Sequence, residues 1–334
     1  METRRILFLP RTSLAGEILS DRARATLEEL GEVIWNENDR DYKPEELAAL
    51  LPGAHVVVTS WGTPAFTPEL LMAADELQIV GHAAGSVKNL MPKEGYDRSI
   101  VVLSAAAVIA DAVAEYTLWA MLSMQRGLYR YEGVMKQQRI WQHGAGGFGH
   151  ELYYKRVGIV GASMVGRRVI DLLRPFSCEV VVYDPYLGDA EAKSLGVACV
   201  SLDEVFASSD IVSVHAPVTA ETKEMIGARH FDAMQDGALF INTARAWVVD
   251  QPAMRATLST GRIRAVLDVF DPEPLPADDP LRGMDNVFLS PHVSGHTAES
   301  RLRLVEAIAE DIRRFYAGEP LRLAVMWDRL KIMA

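Results

Sequence analysis

The chain has little cysteine, the residue that cross-links proteins through disulfides and thiolate-bound metal ions. Only two of its 334 residues are cysteines, Cys178 and Cys199, which is too few for a disulfide framework or a cysteine-based metal cluster. We therefore expect a cytoplasmic protein with no metal centre. The N-terminal segment has only a short apolar run, Ile6 to Leu9, and no cleavage-site pattern, so we interpret it as a first strand.

Positive charge and long apolar runs are also scarce. The 34 Lys and Arg residues are outnumbered by 45 Asp and Glu residues, which gives a formal net charge of −11. No basic stretch is long enough to form a nucleic-acid footprint, so we expect no nucleic-acid partner. The longest apolar stretch, Ile100 to Ala110, contains Ser104 and is too short to span a bilayer, so no membrane partner is expected either. An acidic protein of this kind must supply local cations if it binds an acidic small molecule.

The chain does contain a repeated alternation of strand-like and helix-like segments. Such alternation predicts parallel sheets with helices on their faces. The strand-like segments are residues 6–9, 55–59, 78–81, 100–103, 156–160, 179–183, 211–214, 238–241, 265–268 and 287–289.

Length and two long helical patterns predict the domain organisation. A chain of 334 residues is expected to form about two domains. One helix is predicted from Asp111, a candidate N-cap, to about Leu128, and another from about Thr297 to Ala317. We predict an α/β fold of two doubly wound, Rossmann-like or flavodoxin-like domains with parallel sheets. A nucleotide-binding domain, residues 111–300, is inserted into a discontinuous substrate-binding domain, residues 1–110 and 301–334.

Two glycine-rich segments are candidates for a phosphate-binding loop. Residues 144–149 read G-x-G-x-x-G, but no strand-like run precedes them and no amphipathic helix follows them. Residues 161–166 carry Ser163 in place of the second glycine, yet they follow a strand-like run and open a helical stretch. Dinucleotide binding requires a strand, a tight turn and a helix in that order. We therefore select residues 161–166 and interpret the other segment as a connector.

Most residues of the selected loop have an expected effect on dinucleotide binding. Gly161 permits the tight turn, and Gly166 permits close packing of the helix on the sheet. The amides around Met164 and Val165 bind a pyrophosphate at the positive end of the helix. Ser163 is a departure from the pattern, because its side chain stands where a glycine lets the phosphate approach most closely.

An acidic residue indicates which dinucleotide binds. Asp184 ends the next predicted strand, 18 residues after Gly166, which is the usual reach for the ribose hydroxyls. Because a carboxylate repels a 2′-phosphate, we predict NAD as the cofactor, with NADH preferred over NADPH.

Three further motifs stand at or just after the carboxyl ends of predicted strands, where open α/β sheets bind their ligands. They read NTARAWVVD at 242–250, LDVFDPEP at 267–274 and SPHVSGHT at 290–297. These motifs, with HAPVTAET at 215–222, resemble those of the D-2-hydroxyacid dehydrogenases, and the resemblance extends over nearly the whole chain. Ala246, which replaces a glycine of the first motif, is the one departure among their functional letters.

The resemblance implies the catalytic residues and their chemistry. Arg245 presents a planar fork to a substrate carboxylate and polarises the adjacent carbonyl. His292 is the general acid when the carbonyl is reduced and the base in the reverse direction. Glu273 orients the imidazole and favours its protonated form. His296 ranks second to His292 as the acid, because the positive end of the final helix disfavours an imidazolium there.

The same resemblance implies further contacts with the cofactor. Asp268 matches the residue that holds the nicotinamide carboxamide. The other cofactor contacts implied by the motifs are His215, Pro217, Thr222, Thr243 and Gly295.

The substrate loop is where the resemblance is weakest. The family pattern G-R-x-G-x-G-x-D-N-x-D corresponds here to GHAAGSVKNLM at 81–91, in which both acids are absent. Ala84, Gly85 and Ser86 remain candidate substrate-binding residues, and Trp61 lies on the loop that faces the substrate side chain in the family. Lys88 adds a cation, so we hypothesise a substrate with an extra phosphate, phosphonate or carboxylate; an ordinary surface lysine is the alternative.

Several functions are compatible with these motifs. The first is an NAD-dependent reductase of small anionic 2-keto acids. The alternatives are a phosphite or phosphonate dehydrogenase of the same family and a non-catalytic, corepressor-like NAD-binding scaffold. A formate-dehydrogenase-like function is disfavoured because those relatives pair the histidine with glutamine, and a phosphoglycerate dehydrogenase with a regulatory tail needs a longer chain. The helix that contains Glu115 and the segment around Trp141 resemble dimer-forming elements, which implies a homodimer.

Overall fold

The computed structural model describes residues 4–141 and 149–333. The glycine-rich segment 144–149, interpreted above as a connector, lies outside the described residues apart from Gly149. The strands of the described residues are β1 (Arg5–Phe8), β2 (Glu32–Trp35), β3 (Val56–Thr59), β4 (Ile79–His82), β5 (Val101–Ser104), β6 (Arg156–Val160), β7 (Glu179–Tyr183), β8 (Ala198–Cys199), β9 (Ile211–Val214), β10 (Leu239–Asn242), β11 (Arg264–Leu267) and β12 (Val287–Leu289).

Helices connect these strands. They are α1 (Thr12–Ile18), α2 (Asp21–Leu30), α3 (Pro44–Leu50), α4 (Pro68–Ala73), α5 (Lys93–Asp97), α6 (Ala106–Arg126), α7 (Leu128–Gly133), α8 (Met164–Leu173), α9 (Asp189–Leu195), α10 (Leu202–Ser208), α11 (Ala228–Ala233), α12 (Gln251–Ser259) and α13 (Ala298–Ala317).

The chain divides into two compact units. The first unit consists of residues 1–109 and 296–334, and the second of residues 110–295. The first unit is therefore discontinuous, and the second is inserted into it between residues 109 and 296.

The first unit contains a five-stranded sheet in the order β2-β1-β3-β4-β5, and all of its strands are parallel. This is the flavodoxin-like order of a doubly wound fold. All four residues of β3 are buried, which explains why this central strand reads as a run of valines. Helix α13 packs its apolar face on this unit, with Leu304, Val305 and Ile308 buried in the core.

The second unit contains a seven-stranded parallel sheet in the order β12-β11-β10-β9-β6-β7-β8. The strand order reverses at β6, which lies between β7 and β9. In such sheets ligands bind outside the carboxyl ends of the strands at this switch point. The loops after β6, β7 and β9 therefore lie where a dinucleotide is expected.

Helix α6 differs from the sequence prediction. It begins at Ala106 and not at Asp111, so the assignment of Asp111 as N-cap is wrong. The Ser104 hydroxyl accepts a hydrogen bond from the Ala106 amide (3.2 Å), which turns the chain from β5 into the helix within the apolar stretch. Asp111 lies in the second turn, where it forms an ion pair with Arg168 (3.0 Å).

By length and composition, α6 is also long and apolar enough to cross a membrane. Half of the qualifying stretch is buried inside the fold. Core helices share this combination of length, apolar composition and burial.

Candidate active site

The turn between β6 and α8 requires glycine at both ends. Gly161 has φ +98°, and a Cβ added there would lie 2.8 Å from the Ala216 amide nitrogen. A Cβ on Gly166 would lie 2.1 Å from the Gly161 carbonyl oxygen. These two positions therefore keep the turn tight and bring the loops after β6 and β9 into contact.

The N-terminus of α8 is suited to an anion. Its first amides, those of Met164 and Val165, have no acceptor within the helix and lie at the positive end of its dipole. Ser163 is the N-cap, and its hydroxyl accepts a hydrogen bond from the Gly166 amide (3.4 Å). The residue that departs from the glycine pattern thus caps the helix, a role that the sequence analysis did not assign to it.

Asp184 lies beside this turn at the end of β7. Its Oδ2 accepts a hydrogen bond from the Ala162 amide (2.7 Å), and its Oδ1 accepts one from the Tyr186 amide (2.8 Å). A carboxylate oxygen has two lone pairs, so each oxygen keeps one for a ribose hydroxyl. The turn, the helix N-terminus and this acid together fit a dinucleotide.

The loop after β9 contains the three residues of the HxPxxxxT segment. His215 is buried, and its Nε2 lies 3.0 Å from the Ser213 hydroxyl. Burial lowers the pKa of His215 to about 3, so the ring is neutral. Thr222 is committed to the loop itself, since its hydroxyl donates to the Pro217 carbonyl (2.6 Å) and accepts from the Thr219 amide (2.7 Å).

Arg245 follows β10, and its loop is shaped by Asn242. The Asn242 side chain donates to the Arg245 carbonyl (3.1 Å) and accepts from the Ala244 amide (3.0 Å). Burial lowers the pKa of Arg245 and the negative charge of Glu273 opposes this effect, but a guanidinium stays protonated in either case. A partly desolvated cation on a braced loop is suited to bind a carboxylate.

Glu273 and His292 form a hydrogen-bonded pair. His292 Nδ1 lies 2.8 Å from Glu273 Oε2, while Glu273 Oε1 accepts a hydrogen bond from the Phe270 amide (2.9 Å). Partial burial acts to raise the pKa of Glu273, but the hydrogen bonds from His292 and Phe270 and the nearby positive charges hold it below its ordinary value. Because Nδ1 faces the carboxylate, Nε2 is the nitrogen available to another molecule.

Asp268 is buried completely, and its carboxylate is bound to the loop that carries His292. It accepts hydrogen bonds from the Ser290 hydroxyl (2.5 Å) and from the amides of Val293 and Ser294 (both 2.9 Å). Gly295 follows this loop and is half-buried. Thr243 is buried, with its hydroxyl 3.4 Å from that of Thr117 on α6.

The residues predicted to bind substrate through their loops lie in the first unit. Ala84 is buried, Gly85 is half-buried, and Ser86 and Lys88 are exposed after β4. Trp61 is 39% exposed, and the Arg301 guanidinium lies 4.8 Å from its ring centroid. His296 also belongs to the first unit, with its ring 6.5 Å from that of Trp61. His292 therefore shares a unit with Arg245 and Glu273, and His296 does not.

No cluster of three or more His, Cys, Asp or Glu side chains suited to a metal ion occurs in residues 4–141 and 149–333. The polar groups of the site are instead placed by hydrogen bonds. Two of them were not identified from the sequence: Asn242, which braces the Arg245 loop, and Tyr116, whose hydroxyl lies 2.5 Å from that of Ser290. Asn242 opens a quoted motif, which was the available signal, whereas nothing local marks Tyr116.

Comparisons with known proteins show which family the chain is similar to. Residues 118–294 match the model of the family described as D-isomer specific 2-hydroxyacid dehydrogenase, NAD binding domain. A D-3-phosphoglycerate dehydrogenase from Archaeoglobus fulgidus is 34% identical over 84% of this chain and 53% of that protein. A glyoxylate reductase from Korarchaeum cryptofilum is 35% identical over 75% of this chain and 76% of that protein.

Solved structures give the same result for the fold. A phosphoglycerate oxidoreductase from Rhizobium etli superposes with a TM-score of 0.82 at 28% identity, over 96% of this chain and 98% of that one. The chain spans about half the length of the D-3-phosphoglycerate dehydrogenases that it matches, 53% and 57% for the two from Archaeoglobus fulgidus and Methanocaldococcus jannaschii. The matched domain, the two parallel sheets and these relatives together show that the chain belongs to the D-isomer-specific 2-hydroxyacid dehydrogenase family.

Proposed function

We propose that the chain is an NAD(H)-dependent oxidoreductase that interconverts a small 2-keto acid and its D-2-hydroxy acid. The observation that carries the proposal is the 2.8 Å contact between His292 Nδ1 and Glu273 Oε2, which leaves Nε2 available for a substrate. Arg245, partly desolvated, lies in the same unit. Family membership supports this reaction class.

In the proposed reduction, NADH held by residues 161–166 and Asp184 would supply the hydride that the carbonyl carbon accepts. Arg245 binds the substrate carboxylate through its planar fork and polarises the adjacent carbonyl. The imidazolium of His292 gives its Nε2 proton to the carbonyl oxygen, so the carbonyl becomes a hydroxyl and the imidazole becomes neutral. In the oxidation, neutral Nε2 accepts the hydroxyl proton.

Glu273 acts through His292. Its carboxylate at Nδ1 fixes the ring orientation and stabilises the imidazolium by opposite charge. Because the pKa of Glu273 is held below its ordinary value, the carboxylate remains ionised throughout the neutral range where the enzyme is expected to work. This pairing keeps Nε2 as the proton-transferring nitrogen.

Asp184 supports a preference for NADH over NADPH. Its two oxygens are held by the Ala162 and Tyr186 amides, so the negative charge is fixed at the end of β7. A 2′-phosphate placed there would meet a carboxylate and would bind poorly. We expect Asp184→Ala to weaken NADH binding and to bring the dissociation constants of NADH and NADPH closer together. An unchanged ratio of these two dissociation constants would refute this assignment.

We further propose that the substrate carries additional negative charge. Lys88 is exposed in the loop after β4, where the family pattern has an acid, and Ser86 Oγ accepts a hydrogen bond from the Lys88 amide (3.4 Å). The comparison of interest is kcat/KM for glyoxylate against that for dianionic 2-keto acids, in the wild type and in Lys88→Ala. Equal preference in both proteins would contradict the proposal.

Turnover decides between an enzyme and a binding scaffold. The experiment is NADH oxidation with a panel of monoanionic and dianionic 2-keto acids, and NAD reduction with phosphite and phosphonates. We expect turnover with at least one 2-keto acid. Turnover with phosphite or a phosphonate alone would support the dehydrogenase alternative, and tight NADH binding without turnover across the panel would support a corepressor-like scaffold.

We also propose a cytoplasmic homodimer. The second unit exposes large apolar side chains on and after α6, and these include Trp119 (43% exposed), Leu128 (56%) and Trp141 (78%). Apolar surface of this kind is typical of a protein interface. Light scattering should give twice the chain mass for the wild type, and Leu128→Glu should shift it toward the monomer; a monomeric wild type would refute the proposal.

A further inference from the structure

A chain of hydrogen bonds runs beneath the loop that carries His292. Asp268 is fully buried and accepts hydrogen bonds from the Ser290 hydroxyl and from the amides of Val293 and Ser294. Ser290 precedes His292 and the two amides follow it. The carboxylate therefore holds the loop on both sides of His292.

The donors of this chain can be assigned. A carboxylate only accepts hydrogen bonds, so the single hydroxyl proton of Ser290 is donated to Asp268 (2.5 Å). Tyr116 lies 2.5 Å from the same Ser290 oxygen, and its hydroxyl must therefore donate to it. Burial raises the pKa of Tyr116 to about 12, with the hydrogen bond to Ser290 opposing and the negative charge of Asp268 adding to that effect, so the phenol keeps its proton.

The loop needs such support because its backbone is strained. His292 has φ +53°, a left-handed conformation that a non-glycine residue adopts only when its surroundings enforce it. Pro291, His292 and Val293 are all exposed, so packing from above contributes little. The support comes from Asp268, Ser290 and Tyr116 below.

We propose that Tyr116 and Ser290 are positioning residues, which through Asp268 hold the His292 loop in its left-handed conformation and keep the imidazole against Glu273. The kinetic part of this inference rests on the proposed function. Its structural part concerns the conformation of residues 290–294 and stands without turnover. Tyr116, on α6, thus acts on a histidine that it does not touch.

The kinetic test uses Ser290→Ala, Tyr116→Phe and the double variant. Loss of a hydrogen bond to a buried carboxylate should lower kcat by about tenfold in Ser290→Ala, with the NADH dissociation constant within about twofold of the wild type. Tyr116→Phe should cause a smaller loss, and the double variant should be no slower than Ser290→Ala, because the two hydroxyls act in series. Ser290→Thr, which keeps a hydroxyl, should recover most of the loss.

Tyr129→Phe is the matched control. Tyr129 is another tyrosine of the second unit, and its hydroxyl donates to the Asp285 carbonyl (3.4 Å), so it takes no part in the hydrogen bonds beneath the His292 loop. The kcat of Tyr129→Phe should equal that of the wild type. Normal kcat in both Ser290→Ala and Tyr116→Phe, or multiplied losses in the double variant, would overturn the inference.

Hydrogen exchange tests the structural part separately from activity. In Ser290→Ala and Tyr116→Phe the Val293 and Ser294 amides should exchange faster, by about tenfold in Ser290→Ala, while β9 exchanges as before. If the wild type reduces no 2-keto acid, the proposed function fails, and exchange alone decides the positioning. Unchanged exchange at these two amides in both variants would overturn it.

Discussion

Gly166→Ala is the substitution that most directly tests the proposed dinucleotide loop. The added Cβ would lie 2.1 Å from the Gly161 carbonyl oxygen and 3.5 Å from the His215 Cβ. The nearest atom belongs to the backbone, so no side-chain rotation relieves the contact. An ordinary carbon–oxygen contact is on the order of 1 Å longer than this distance. Either the turn or helix α8 must therefore move by about that amount.

This movement should lower the free energy of unfolding and weaken NADH binding. Overpacking of this kind destabilises a protein by about 1–3 kcal/mol. A domain of this size loses roughly 2–4 °C in melting temperature per kcal/mol, so we expect a decrease of about 2–12 °C. Because the first amides of α8 move with the turn, the NADH dissociation constant should rise by at least about tenfold, the equivalent of roughly 1.4 kcal/mol.

Fluorescence titration with NADH and a thermal melt measure these two effects. The matched control is Gly283→Ala, since a Cβ added at Gly283 meets nothing within 4 Å and the residue lies in the same unit. The control should bind NADH and melt as the wild type does. If Gly166→Ala behaves like this control in both assays, residues 161–166 do not form the pyrophosphate site.

Three further substitutions test the helix cap at Ser163, the buried His82 and the carboxylate that faces His292. Ser163→Gly should change NADH affinity by less than about tenfold and stability by only a few tenths of a kcal/mol, because glycine is itself a tolerated N-cap; a larger affinity change in the titration would make the hydroxyl a specific ligand. Burial lowers the pKa of His82 from 6.5 to about 4. Between these two pH values the unfolded chain binds a proton that the folded chain does not, so the free energy of unfolding falls as the pH decreases, by at most about 3 kcal/mol. Thermal melts of His82→Gln should show a smaller decrease over that window, and a decrease equal to that of the wild type would contradict the assignment. Glu273→Gln removes the charge beside His292, so the alkaline limb of the kcat profile for reduction should move to lower pH; an unmoved limb would show that the carboxylate does not stabilise the imidazolium.

The central strands of both sheets were predicted from sequence, but two of the four edge strands of these sheets, β2 and β8, were not. Strand β3 is buried along its whole length and therefore reads as an uninterrupted apolar run. Strand β2 lies at an edge of its sheet with no fully buried residue, and β8 has two exposed residues at the edge of the other. Because few of their positions must be apolar, neither strand stands out in the sequence, and both were missed.

Helix boundaries depended on local competition between capping residues. Asp111 is followed by a helical pattern and resembles an N-cap, whereas the true start lies five residues earlier at Ala106. The Ser104 side chain makes the capping contact there. Both residue types favour helix starts, so the sequence alone does not decide between them.

The candidate catalytic residues could be named because their motifs resemble those of the D-2-hydroxyacid dehydrogenases and stand at predicted strand ends. The contacts that hold these residues in place could not be predicted from the sequence. Tyr116 and Ser290 are 174 positions apart, and their hydrogen bond exists only because the fold brings α6 beneath the loop after β12. Asp268 was assigned to the cofactor by resemblance, and the structure adds its contacts with the loop that carries His292.

The proposed function requires that His292, paired with Glu273, transfers the proton in a 2-keto acid reduction. The most direct measurement is the rate of NADH oxidation by the wild type and by His292→Ala, with the best substrate of the 2-keto acid panel. We expect kcat to fall by at least about a hundredfold in the variant while the NADH dissociation constant changes little. Near-normal turnover in His292→Ala would contradict it.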